Sequence, residues 1–367
     1  MKKRLFSLLL VSALVFTLSG CGEKSLLRES DPVTLNFWHV YGEQSGSPMD
    51  LLVQEFNRTV GQEKGVRVQV TNLSSASKIG GFLKEAQKGG RDAPEMPDLF
   101  PCHISDATAL GSDNLVDWNA RFTAEELSNF VPGFLADGMT EDGTLLLFPI
   151  SKSTQLLMCN GSGFARSLAQ GHVVVSDLYS NTQVMTGDVL SGLGSSAAIL
   201  YYNDTVTYRD GTQEPMDLHV LPMPKTAGAD ALMTQAGVGL CAYKTTDQKA
   251  EAAALFVRWL TESERNLDFV AQTGYMPVRN GAFDAIENYD KFPEPTESYR
   301  QLYAALKIMQ ESYTPLSEPR FEGYYGKVSQ LYDGLRQMQQ KLPARAAAGE
   351  SIDTLAEETW ALLCAIH

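Results

Sequence analysis

The chain has 367 residues, 44% of them hydrophobic and 20% charged, a length and composition that suit two globular domains and exclude wholesale disorder. Its formal net charge is −14, with no local cluster of lysine and arginine, so polyanions are repelled and nucleic acid is excluded as a partner class.

Residues 1–20 are expected to be an export leader. "MKKR" is a basic n-region, and "LFSLLLVSALVFTL" is an apolar h-region too short for a stable membrane span. "LSGC", Leu18 to Cys21, follows directly and resembles the lipobox of bacterial lipoproteins. That resemblance implies cleavage before Cys21 and a diacylglycerol on its thiol, and two acyl chains give stable anchoring where one is marginal. Loss of Lys2, Lys3 and Arg4 leaves a mature charge of −17. Residues 21–31 are then a polar tether. The body is expected outside the cell, lipid-anchored at the outer face of the cytoplasmic membrane.

Residues 33–70 have the pattern strand, helix, strand. "VTLNFW" is apolar and β-branched, and Ser47-Pro48-Met49-Asp50 supplies a cap, a proline at the first helical position and an acidic third residue. "GVRVQV" alternates as a strand does. A βαβ unit implies a parallel sheet, and ligands collect beyond the carboxyl ends of its strands. Trp38, His39 and Tyr41 occupy that place. Trp38 and Tyr41 are candidate ligand walls, whereas His39 has the character of a satisfied structural histidine.

A second helix is expected over 77–88 and a strand in "MPDLFPCHI", and Thr123 with Glu126 forms a capping box. "DGTLLLFPISKSTQLLMCN" contains a strand, a break at Pro149 and a second strand after Ser153-Thr154, a pattern that suits a crossing between domains. Helices are expected over the "KAEAAALFVRWL" stripe, after a Thr261 cap with Glu264 and up to Gly274, and over 296–312, 321–342 and 351–366. Cys102, Cys159, Cys241 and Cys364 lack CxxC spacing and read as buried free thiols, with disulfides as the open alternative. The five histidines are scattered without ligand spacing, so no metal site is expected, and no cofactor motif occurs.

In order along the chain, the lipobox, "LNFWHVYGEQSGSPMDLLVQEFN", "PDLF", "LVDW", "FPISKSTQLLMCN" and "AEAAALFVRWLTESERNLDFVAQTGYMPV" resemble the extracellular solute-binding proteins of ABC importers. The similarity is to the carbohydrate-type group that contains maltose-binding protein. It implies an α/β, two-lobed periplasmic-binding-protein type II fold hinged by crossing strands. Lobe one would take residues 32–150 and 275–312, and lobe two would take 151–274 and 313–367. The stretch after "MCNGSGFARS" is shorter than in such relatives, which implies a shortened second lobe. The resemblance further implies hinge closure around a solute and delivery to permease subunits by a monomer.

A sugar needs flat aromatic surface and hydrogen-bonding side chains. Trp38, Tyr41 and Tyr275 are the candidate rings. Glu43, Asp106, Ser153, Thr154, Ser195 and Ser196 are the candidate hydroxyl partners. No GxSxG, HExxH, P-loop or carboxylate pair nominates an enzyme. Glycerol phosphate or a polyamine as solute, and a surface adhesin or sensor lipoprotein that keeps the fold without transport, stand as alternatives.

Overall fold

The computed structural model describes residues 25–41, 47–73, 76–160 and 179–350, save 226–227, 229, 287, 318 and 322–323. Cys21, Glu43, Cys364, the expected helix over 351–366 and residues 161–178, most of the stretch behind the expected lobe shortening, lie outside the described residues. The first sheet has the order β10-β3-β1-β2, with β1 Val33–His39, β2 Val66–Asn72, β3 Leu99–Cys102 and β10 Gly239–Ala242. β1 runs parallel to β2 with Val33 opposite Val66, and parallel to β3 at Phe37 and Leu99. β10 is the antiparallel edge strand, with Gly239 opposite Cys102. The carboxyl ends of β1, β2 and β3 and the amino end of β10 therefore share one edge.

The connection from β1 to β2 is the expected helix, α1 Pro48–Arg58. Ser47 Oγ accepts from the Asp50 amide at 3.3 Å, which satisfies one of the helix's unpaired first-turn donors. Met49, Val53 and Phe56 are buried on its sheet-facing side. Helix α2 Ala76–Lys88 covers the other face through Ile79 and Leu83, and α3 Ile104–Leu110 follows β3. Both faces of the parallel sheet are thus covered, as parallel sheets require.

Beyond Pro149 the chain crosses to a second sheet of order β5-β4-β8, with β4 Gln155–Asn160, β5 Ser191–Ser195 and β8 Leu218–Leu221, while β6 Thr205–Thr207 and β7 Gln213–Pro215 form a small hairpin. β4 is antiparallel to both neighbours, with Gln155 opposite Ser195 and Leu157 opposite Leu221. The return path is β9 Leu232–Gln235, then Ala236-Gly237-Val238, then β10. Adjacent to the first crossing, Ser153 pairs with Ala236 and Lys152 with Met276. Three chain segments therefore lie side by side at the passage between the sheets.

Two segments pair or pack with other elements than the expected boundaries assign them. Residues 239–274, assigned by sequence to lobe two, belong with the first sheet: β10 is its edge strand, and α5 Asp247–Leu260 packs on β1 through Phe256, whose ring meets Phe37 at 5.7 Å. Residues 296–312, assigned to lobe one, form α7, which packs on β8, and Gln301 Oε1 accepts from the Val220 amide at 3.1 Å. Between them α6 Ser263–Thr273 begins one residue later than expected, because Thr261 donates back to the Val257 carbonyl at 2.8 Å instead of capping. Gly274 ends α6 at φ 68°, and a side chain there would meet the Ser196 carbonyl at 2.9 Å. Glycine alone satisfies both the left-handed turn and the close approach of the 196–201 turn.

Candidate functional site

The pocket at the passage between the sheets is built from strand ends and crossing segments. His103, Ile104 and Ser105 follow β3, Gly237 and Gly239 lead into β10, and Pro149 and Lys152 come from the first crossing. Phe134, Asp137 and Gly138 come from the end of helix α4 Pro132–Asp137, and Pro319 and Tyr324 from the far side. The cavity itself amounts to about 30 Å³, and to about 500 Å³ when the gaps between atoms and the open mouth are counted, so a sugar-sized guest requires it to open. Gly239 lets β10 lie against Leu147, since a Cβ there would stand 2.6 Å from the Leu147 Cβ.

Lys152 and Asp137 are the charged side chains that line the pocket and pair with each other. The Lys152 side chain is 4% exposed and that of Asp137 17%. A buried lysine without such a partner would carry several kcal/mol of desolvation cost, on the order given for single buried ions. Asp137 is set by the end of α4, whose last carbonyls are satisfied by Arg320: its guanidinium donates to Ala136 O at 3.0 Å, to Asp137 O at 3.4 Å and to Met139 O. A cation at a helix carboxyl end is favoured by the exposed carbonyls. Arg320 also immediately follows Pro319, so the far wall of the pocket is tied to the helix that holds Asp137.

Tyr41 and Tyr275 do meet, with ring centroids 6.2 Å apart at 80°. Tyr41 also packs edge-on against Phe269 at 5.2 Å, and its hydroxyl lies 3.4 Å from Ser151 Oγ. Burial pushes both phenols well up, and Tyr201 adds to the effect on Tyr275. Side chains alternate along an extended segment. Ser151 faces these rings and Lys152 faces the pocket, so the tyrosine pair stands behind the crossing strand and does not line the pocket.

Trp38, expected as a ligand wall, packs in the core. It is 6% exposed and belongs to a hydrophobic cluster with Ile79, Leu83, Phe100, Leu115 and Leu146. Asp106 lies against α2, where a Cβ on Gly80 would stand 2.2 Å from its Oδ1. Ser195 caps the turn that follows β5, its Oγ accepting from the Ala197 amide at 3.3 Å. Ser153 and Thr154 sit in the crossing itself, and Ser196 opens the turn beside it. Ser153 exchanges backbone bonds with Ala236, and the Ser196 amide donates to the Thr154 carbonyl at 2.8 Å. Thr154 Oγ1, Ser196 Oγ and Gln235 Oε1 are buried without a hydrogen-bond partner among the described residues. Such groups cost about 1–3 kcal/mol each.

His39 is the structural histidine expected of it. The Tyr41 amide donates to Nδ1 at 3.2 Å, so the ring proton sits on Nε2 and is donated to Asp50 at 2.8 Å. Burial lowers its pKa below the ordinary 6.5, and the Asp50 bond opposes but does not cancel this. The unfolded chain therefore binds this proton more readily. The contribution of neutral His39 is complete above about pH 6.5 and is lost as pH falls through the folded value. Wild type is expected to lose more urea resistance than His39→Gln between pH 7 and pH 5, and parallel curves for the two would contradict this.

Sequence reasoning missed His103, Ser105, Asp137, Lys152 and Tyr324. The strand-end rule that selected Trp38 applies equally to the residues after β3, and Lys152 lay inside the expected crossing. Tyr324, at the start of α8 Tyr324–Ala347, carried no signal beyond its aromatic ring.

The fold is that of the two-lobed solute-binding proteins. Residues 164–294 match the family described as bacterial extracellular solute-binding protein. The cyclic alpha-maltosyl-1,6-maltose binding protein from Arthrobacter globiformis superposes with a TM-score of 0.62 at 14% identity, over 91% of this chain and 99% of that one. UgpB from Mycobacterium tuberculosis, solved with glycerophosphocholine, gives 0.62 at 15% identity over 91% and 99%. The GacH receptor of Streptomyces glaucescens, solved unliganded and with acarbose, gives 0.60 at 14% over 90% and 97%. At these identities the likeness is one of fold. No curated protein matches by sequence. The resemblance to extracellular solute-binding proteins is borne out, by the family match over 164–294 and by the fold. Among the described residues no helix is long and apolar enough to cross a membrane.

Proposed function

We propose that the protein is a receptor anchored by a lipid on Cys21, that it captures a small neutral solute, a sugar or oligosaccharide, in the pocket at the crossing, and that it delivers this solute to an ABC importer. The observation that carries this reading is the position of the pocket. Its walls come from the end of the first sheet, from two crossing segments and from Tyr324, so movement at the crossing opens or closes it. The pocket lysine is already neutralised by Asp137, which favours an uncharged guest over a phosphate. Tyr324 supplies the aromatic surface that a sugar's CH face needs. Capture and release suit an affinity near micromolar, about −8 kcal/mol.

A second reading, glycerol phosphate or its diesters, is kept because the fold is shared with a protein solved with glycerophosphocholine. Thermal melts of the mature protein against neutral oligosaccharides, glycerol phosphodiesters and polyamines separate the readings. Solute at a hundredfold excess over Kd adds about 2.7 kcal/mol of stability. The expected result is a saturable rise with one neutral oligosaccharide class that is at least tenfold weaker in Tyr324→Ala. A rise with the phosphodiesters alone would favour the second reading. No rise with any solute would overturn transport and leave the adhesin or sensor class.

A further inference from the structure

Cys102 and Cys241 lie on neighbouring antiparallel strands, β3 and β10, and both are fully buried. Their sulfurs stand 3.4 Å apart, in direct contact, and both are free thiols in this structure. Gly239 is the residue opposite Cys102, and Cys241 lies two positions further along the same strand, so both side chains project from one face of the sheet. Cys241 Sγ also lies 3.1 Å from the Leu146 carbonyl. Hydrophobic neighbours, among them Phe100, Leu115, Leu146 and Leu147, surround the pair and belong to the same cluster as both sulfurs. Both cysteines adjoin pocket residues in the chain: Cys102 precedes His103, and Cys241 follows Gly239 by two residues.

We propose that Cys102 and Cys241 form a disulfide when the chain matures outside the cell, stapling β10 to β3 next to the pocket residues of both strands. The inference rests on the export reading, because exported chains meet oxidising conditions that cytosolic ones do not. Bond formation brings the sulfurs from contact to about 2.05 Å. The oxidant is by class a protein or small-molecule disulfide. One cysteine, as thiolate, attacks that disulfide and expels a thiolate; the other then displaces the second thiolate from the mixed disulfide. The two cysteines lose two protons and two electrons, and the oxidant leaves as two thiols. In the packed sheet, burial and the neighbouring thiol push the Cys102 pKa well above its ordinary value, which disfavours the attacking thiolate. The exchange therefore belongs to folding, before β10 docks on β3.

The staple closes a loop that spans the whole second sheet, between positions 139 residues apart. Long loops of this kind are where cross-linking restricts the unfolded chain most. Its second consequence is local. With β10 held to β3, the residues entering the pocket from both strands move as one body during hinge motion.

The test is a peptide map of full-length protein recovered from the exported fraction, and of the same protein refolded with oxidised glutathione, each denatured in iodoacetamide without reductant. The expected result is a linked pair of peptides carrying Cys102 and Cys241 that separates on reduction, with both sulfurs then taking alkyl groups. The melting temperature of wild type should fall by about 5–10 °C with dithiothreitol, a loss that Cys241→Ala should not show. Complete alkylation of both cysteines after refolding with oxidised glutathione would overturn the proposal, as would a linkage of either to Cys159 or Cys364. Solute binding is read separately. Alkylated protein that still binds the oligosaccharide would remove the staple and leave the receptor reading standing.

Discussion

Trp38→Ala is expected to lower stability by about 3–5 kcal/mol while leaving the affinity of the folded fraction for its solute within about threefold of wild type. The indole is 6% exposed and packs with Ile79 and Leu83 of α2 and with Phe100 of β3. Removing it empties a site enclosed by helix and sheet that cannot collapse fully. Urea unfolding measures the loss, and titration below the new midpoint measures affinity. Abolished binding with intact stability would return Trp38 to the ligand wall. The two readouts separate core from wall because only one of them touches the pocket.

Lys152→Met is expected to cost about 3 kcal/mol, chiefly because it strands the Asp137 carboxylate in the pocket lining. Asp137 keeps some contact with solvent, so the cost falls toward the lower end of the range for broken buried pairs. Asp137→Leu alone should be similarly harmful, because it leaves the more deeply buried lysine unpaired. The double substitution is expected to recover most of the stability, since apolar replacement of both partners removes both desolvation costs. Additive losses in that cycle, measured in urea, would show that the pair is not coupled. Binding should stay impaired in the double variant, because the polar lining is gone even where the fold is restored.

The elements most legible in the sequence are those whose signals are local. Ser47 with Asp50 and Thr123 with Glu126 form the caps that their spacing implies. The helix over 296–312 has the expected bounds, and Gly274 stops α6 as a left-handed cap. Assignment of segments to halves was not legible. "GLCA" of β10 is buried along its whole length, so nothing in it tells which sheet it joins; that depends on pairing with β3, more than a hundred residues earlier.

The pocket lies where the strand-end and crossing patterns point, but its lining differs from the residues those patterns nominate. Ligand was expected beyond the carboxyl ends of parallel strands and at the Pro149 to Thr154 crossing, and the pocket lies at both. Trp38 misled because a parallel sheet is covered on both faces, so a large ring at a strand end has a helix to pack against as readily as a ligand. Lys152 was passed over for its hydroxyl neighbours. Its role depends on Asp137 fifteen residues earlier, a pairing that only the folded chain makes.

Hydrogen–deuterium exchange of the mature protein, with and without the solute that gives the largest melting shift, reports whether solute is held at the crossing. The expected result is protection concentrated in peptides carrying 103–105, 149–154, 235–239, Pro319 and Tyr324, all at or beside the pocket. Protection confined to one sheet, with those peptides exchanging as they do without solute, would contradict it.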